Sequence, residues 1–246
     1  MFPILQLGPL AIQVPGLALL IGVWVGLAFT EREAARLNLK PDTIYNMAFA
    51  GLVAGIIGAR LVYVARYLSA YAADPLGILS PNPGTLAPFE GLMLGLLAAF
   101  VYGARHKLPL RPTLDALAPG LAVTMVAVAL AHAASGDAFG ARAQLPWRIY
   151  LWDDYRHPSQ VYEMIAALVV LGAWRQARLR ASFPGFNILL LAALSAVARV
   201  LLETFRGDSL ITVGGLRVAQ LWGIAILAIC LVLMKSWGGH REATAG

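Results

Sequence analysis

The sequence predicts an all-α integral membrane protein, a bundle of about seven transmembrane helices. Hydrophobic residues make up 59% of the 246 positions and charged residues only 13%. A soluble domain carries about 25% charged residues. Mean hydropathy is +0.72. Seven apolar stretches recur along the chain, each near the ~20 residues a helix needs to cross a bilayer.

In order, the spans are expected near 10–30, 44–66, 88–104, 114–134, 158–174, 184–204 and 216–235. They form one polytopic membrane domain over 1–246. The first run lacks a basic leader and is too long for a signal-peptide core, so it reads as a retained span. The second carries GLVAG at 51–55 and the fourth region's neighbour, FEGLMLG, places Gly91 and Gly95 one turn apart. Such small-residue pairs let helix backbones approach closely. The 67–89 connection is rich in Pro and Gly. The 135–157 connection carries Trp147, Tyr150, Trp152 and Tyr155, which suit the headgroup level of a bilayer.

Basic residues set the orientation. The loops at 31–43, 105–113 and 175–183, with the C-terminal tail, hold 11 Lys or Arg; the opposite face holds six. Positive charge collects on the cytoplasmic side. The N-terminus is therefore expected outside and the C-terminus in the cytoplasm. The same rule accounts for the net charge of +6 without nucleic acid, since no basic run interleaves with exposed aromatics. The lone Cys230 lies inside the last apolar run, where it reads as a small core residue. Neither a disulfide framework nor a metal cluster can be built from it.

Ionisable groups at membrane depth are expensive and mark candidate sites. Arg199, Glu203 and Arg206 in ARVLLETFR have i, i+4, i+7 spacing and would share one helical stripe. Arginine stays charged and grips phosphate with a fork of donors, so the stripe suits an anionic headgroup. An internal Arg–Glu bridge is the alternative. In HPSQVYE, Pro158 can open a helix. His157 then takes the cap position, and Gln160 and Glu163 lie three apart on one face. Glu90 begins the third span and is a general base if burial raises its pKa; it equally serves as a solvated helix-start carboxylate. His132, Ser135 and Asp137 cluster at the end of the fourth span, as a proton-handling group or a wet helix terminus. Arg60 stands alone within the second span and needs a partner. Gln220 is the one strongly polar side chain early in the last span. A Gly-rich phosphate loop, zinc motif and serine elbow are all missing from the chain. No cofactor is expected.

HPSQVYE, the GAR at 58–60, ARVLLETFRGD from 198 and the late Gln220 together resemble the bacterial prolipoprotein diacylglyceryl transferases in order and spacing. The resemblance runs from about 8 to 235. It implies transfer of a diacylglyceryl group from phosphatidylglycerol to the lipobox cysteine of a secretory preprotein, in the bacterial plasma membrane. The nucleophile would belong to the substrate, which fits its absence here. Arg199 and Arg206 would act on the phosphate and Glu203 would be their partner carboxylate. Arg60, His157, Gln160, Glu163, Gln220 and Gly140 would help to bind substrate.

Several positions depart from the family's pattern. Its His-Gly-Gly signature is here Phe89-Glu90-Gly91-Leu92. Its long signature aligns with ALAHAASGDAFG, so that an essential arginine falls on Ala129 and an asparagine on His132. Two tyrosines fall on Pro15 and Ser195. Glu90 or His132 would then replace the missing histidine as base. The alternatives are a catalytically silent paralogue that binds anionic lipid or lipoprotein precursors, and a small membrane transporter. Polar residues gathered at one face, not along a path, argue against the transporter.

Overall fold

The computed structural model describes residues 4–7, 10–80, 83–180, 182–212 and 214–239. Arg241, counted above in the C-terminal tail, lies outside them. The elements in chain order begin with β1 (Ile4–Leu7), β2 (Leu10–Gln13), α1 (Val14–Arg36), α2 (Pro41–Arg66), α3 (Leu68–Ala73) and α4 (Pro88–Arg105). They continue with α5 (Leu110–Ser135), β3 (Ile149–Leu151), β4 (Asp154–Arg156), α6 (Ser159–Ala177), α7 (Phe186–Leu202) and α8 (Val218–Gly239). Among the described residues, five helices are long and apolar enough to cross a membrane: α1, α2, α5, α7 with its 3-10 extension to Phe205, and α8. The architecture is helical, as expected, with two small antiparallel hairpins added.

The hairpins are where structure and sequence expectation differ. Residues 10–13, placed at the start of the first span, pair as a strand with 4–7. The aromatic 147–155 run forms the second hairpin, with Leu151 opposite Asp154. Its two-residue turn holds Trp152 at φ 52 and Asp153 at φ 57. Positive φ at both turn positions matches the right-handed twist of the flanking strands. Without Gly or Asn, that turn carries no sequence signal.

The helices fall into two compact units, 34–113 and the remainder. In the first, α2 and α4 meet along their glycines. A Cβ at Gly91 would stand 2.7 Å from the Gly55 carbonyl oxygen, and one at Gly95 2.7 Å from that of Gly51. The GLVAG and GLMLG pairs thus pack as expected. In the second unit, α1 lies against α5 at a similar approach, Gly26 facing the carbonyl of Gly120. Trp174 of α6 packs with Ala118, Ala122, Val170 and Leu191. Cys230 packs with Leu189 and Ala193, the apolar role expected of it.

One buried carboxylate sets where α7 begins. Asp115 of α5 accepts hydrogen bonds from the amides of Gly185 (2.6 Å) and Ile188 (3.0 Å). These amides at the helix start have no intrahelical acceptor. The start of α7, and with it the height of Arg199 one end later, is fixed from a neighbouring helix.

Candidate active site

The site is assembled where α5 and α7 end and α6 begins. At the start of α6, Ser159 and Gln160 are buried and turn backwards. Ser159 Oγ donates to the carbonyl of Ala138 and Gln160 Nε2 to that of Asp137 (3.0 Å). Gln160 therefore clamps the loop that follows α5. The His157 ring packs on Phe205 (5.2 Å between centroids) and Tyr162 (6.2 Å). Its Nδ1 is buried without a hydrogen-bond partner among the described residues. Gly140 pairs with Arg206 through the backbone. A Cβ at Gly140 would collide with the main chain of His157, so only glycine fits there.

One turn after Gln160, Glu163 becomes the hub. Its Oε2 lies 2.8 Å from His132 Nδ1, and its Oε1 accepts from Arg206 at 2.6 Å. Arg199 stands 3.9 Å from the same oxygen and 3.2 Å from Oε2 of Glu203. The Glu203 side chain is 2% exposed. A carboxylate so placed is tolerable only with a cation beside it. Ser135 and Asp137, grouped with His132 in the sequence reading, instead close the end of α5: the Asp137 amide donates to Ser135 Oγ at 3.2 Å.

Arg206 does not continue the helical stripe. α7 ends at Leu202, a 3-10 turn follows over Glu203–Phe205, and Arg206 is extended at φ -80, ψ 142. Its guanidinium reaches Glu163 from this extended segment and is also gripped by Asp208, at 2.9 and 2.6 Å. Burial alone would lift the Asp208 carboxyl. The hydrogen bond and charge of Arg206 outweigh it and hold the group below the usual carboxylate value. Arg217 donates to the carbonyls of Glu203 and Arg206 and to Ser209 Oγ. Asp208 and Arg217 were not among the expected site residues. Asp208, two positions from Arg206, was the one legible signal.

A cavity of 490 Å³ opens beside this network. His132, Glu163 and Arg199 are its ionisable members, and most of the remaining lining is apolar side chains of α5, α6 and α7. Arg199 is 45% exposed, whereas Arg206 is 11% exposed and held by two carboxylates. Arg199 is therefore the arginine available to a ligand, and Arg206 holds Glu163. A second hollow of 840 Å³, almost wholly apolar, is lined by Trp147, His157, Tyr162 and Phe205 with further side chains of α6 and α7.

The remaining expected residues have other partners. Gln220 of α8 donates to the carbonyl of Val200 on α7 at 3.2 Å. In the 34–113 unit, Arg60 donates to the carbonyls of Ile78 and Thr85, each at 2.8 Å, and also reaches Gly77 and Thr85 Oγ1. Its partner is thus the Pro- and Gly-rich loop that follows α3. Glu90, in the first turn of α4, is ion-paired with Arg66.

Residues 3–236 match the family described as prolipoprotein diacylglyceryl transferase. The chain belongs to this family. The phosphatidylglycerol–prolipoprotein diacylglyceryl transferase of Synechococcus elongatus is 28% identical over 242 residues, covering 92% of this chain and 83% of that protein. The protein of the same name from Corynebacterium efficiens is 27% identical, covering 97% and 82%. That from Clostridioides difficile is 29% identical, covering 83% and 82%. Within this diacylglyceryl transferase member, three of the departures noted in the sequence share a location. Ala129, His132 and Ser195 all line the 490 Å³ cavity.

Proposed function

We propose that this membrane protein transfers the diacylglyceryl group of phosphatidylglycerol to the lipobox cysteine of a secretory preprotein. Family membership supports the reaction class. The observation that carries the reading is the His132–Glu163–Arg199 group at the edge of an apolar cavity. A diacyl lipid has that character: an anionic head beside long apolar chains.

In this reaction the substrate's thiolate attacks the glyceryl carbon that bears the phosphate. A carbon–sulfur bond forms and the carbon–oxygen bond to phosphate breaks. The electron pair leaves with glycerol phosphate. Arg199 neutralises the charge that grows on the phosphate oxygens. The thiol proton must go to a base, because the thiolate is the nucleophile. His132 is placed for it. Glu163, beside Arg206, accepts a hydrogen bond from Nδ1–H and leaves Nε2 as the nitrogen that takes the proton. Glu90, already engaged by Arg66, is the weaker candidate. Glu203 holds Arg199, Arg206 holds Glu163, and Gln160, His157, Gly140 and Gln220 fix the elements that carry them.

The finer placement belongs to the same proposal: seven spans, N-terminus outside and C-terminus in the cytoplasm of a bacterial inner membrane. The 11-to-six split of basic residues supports it. The test is chemical. Purified protein in detergent is given phosphatidylglycerol and a lipobox peptide, and the peptide is examined by mass spectrometry. Diacylglyceryl addition to its cysteine is the expected result. Its absence would leave a lipid-binding paralogue.

A further inference from the structure

The segments 136–158 and 203–217, which join α5 to α6 and α7 to α8, gather arginines of which Arg206 alone has a part in the proposed reaction. A hollow of 360 Å³ between them is lined by Arg142, Arg156, Arg206 and Arg217 with Ser209, and among the described residues by no acidic side chain. The arrangement is costly. Arg142 and Arg156 are directly opposed in an antiparallel bridge, a position where like charges destabilise. Arg142 has Asp154, and Arg206 has Asp208 and Glu163. Arg156 and Arg217 have only neutral hydrogen-bond acceptors among the described residues: the carbonyls of Leu151 and Gly140 for one, those of Glu203 and Arg206 with the Ser209 hydroxyl for the other. Arg156 also lies over the Phe139 ring, 4.9 Å from its centroid; neither guanidinium has a carboxylate partner among the described residues. Four arginines around one hollow, with no carboxylate in its lining among the described residues, suit a tetrahedral dianion.

We infer that this hollow is a binding site for a phosphate monoester. Arg206 is the wall it shares with the transferase site: one nitrogen holds Glu163, which lines the lipid cavity, and the residue also lines the hollow. Resting on the proposed reaction, the natural occupant is the glycerol phosphate that leaves Arg199, received by the hollow on its way out. Inorganic phosphate offers the same chemistry.

Titration calorimetry on the purified protein in detergent, with no lipid or peptide present, separates this from the transferase reading. The probes are glycerol 1-phosphate, inorganic phosphate and glycerol. Saturable binding of glycerol 1-phosphate, weakened by added salt, with none for glycerol, is expected. Arg142→Gln, at a side chain 81% exposed and outside the transferase machinery, should weaken it about tenfold, and Arg142→Glu more. Glycerol 1-phosphate binding more tightly than phosphate supports product as the occupant; equal binding supports free phosphate. No saturable binding, or binding unchanged in both variants, overturns the site even if thioether product forms. Binding without thioether product leaves the site standing and the transferase reading refuted.

Discussion

Nδ1 of His132, at the end of α5, lies 2.8 Å from Oε2 of Glu163 on α6, while Oε1 of the same carboxylate takes Arg206 at 2.6 Å. One carboxylate thus orients an imidazole and is itself gripped by an arginine that is nearly buried. The pairing places His132 and Arg199 on one cavity wall, with Glu163 between them.

Arg199 should govern recognition of anionic lipid. A charge-assisted hydrogen bond to phosphate is worth about 1.5–3 kcal/mol. Arg199→Gln should weaken binding of phosphatidylglycerol about tenfold or more, and of a zwitterionic lipid less, measured by lipid titration in detergent. Equal loss for both lipids would make Arg199 structural.

Arg60 should act on its loop and not on lipid. It donates to main-chain carbonyls of Gly77, Ile78 and Thr85. Losing even one such bond, at about 1.5 kcal/mol, raises the open population roughly tenfold. Limited proteolysis of Arg60→Gln should show cleavage within 74–87 at least that much faster, with phosphatidylglycerol affinity unchanged. Lost affinity with unchanged proteolysis would move Arg60 into the binding site.

Asp208 should add stability that survives mild acid. Its carboxyl is held below the ordinary value of 3.8 by Arg206. A depressed carboxylate stabilises above its unfolded pKa, and the contribution fades as pH falls through the lowered folded value. The pair is partly exposed, so it is worth about 1 kcal/mol or less. The melting-temperature gap between wild type and Asp208→Asn should stay constant from neutral pH to about 4 and close below that. A gap that closes near pH 6 would point to a histidine instead.

The helices were legible because length and apolarity decide them, as at α2 and α8. The hairpin at 149–156 was not, because its turn is built from Trp152 and Asp153, neither of which announces positive φ. Arg199, Glu203 and Glu163 were legible as costly groups in apolar runs. Their grouping was not: Glu163 meets His132 and Arg206 across 31 and 43 residues. The helical period carried Arg206 onto a stripe that α7 does not extend far enough to form. Gln160 and Glu163, read as one face, separate in use, one clamping a loop and the other facing the cavity.

Turnover of phosphatidylglycerol and a lipobox peptide by wild type, His132→Gln and Glu90→Gln decides whether the His132–Glu163 pair supplies the base. A positioned general base contributes about 10²–10⁴-fold. His132→Gln should lose that much while still binding lipid, and Glu90→Gln should turn over like wild type. An inactive Glu90→Gln beside a fully active His132→Gln would rule out His132 and return the role to Glu90.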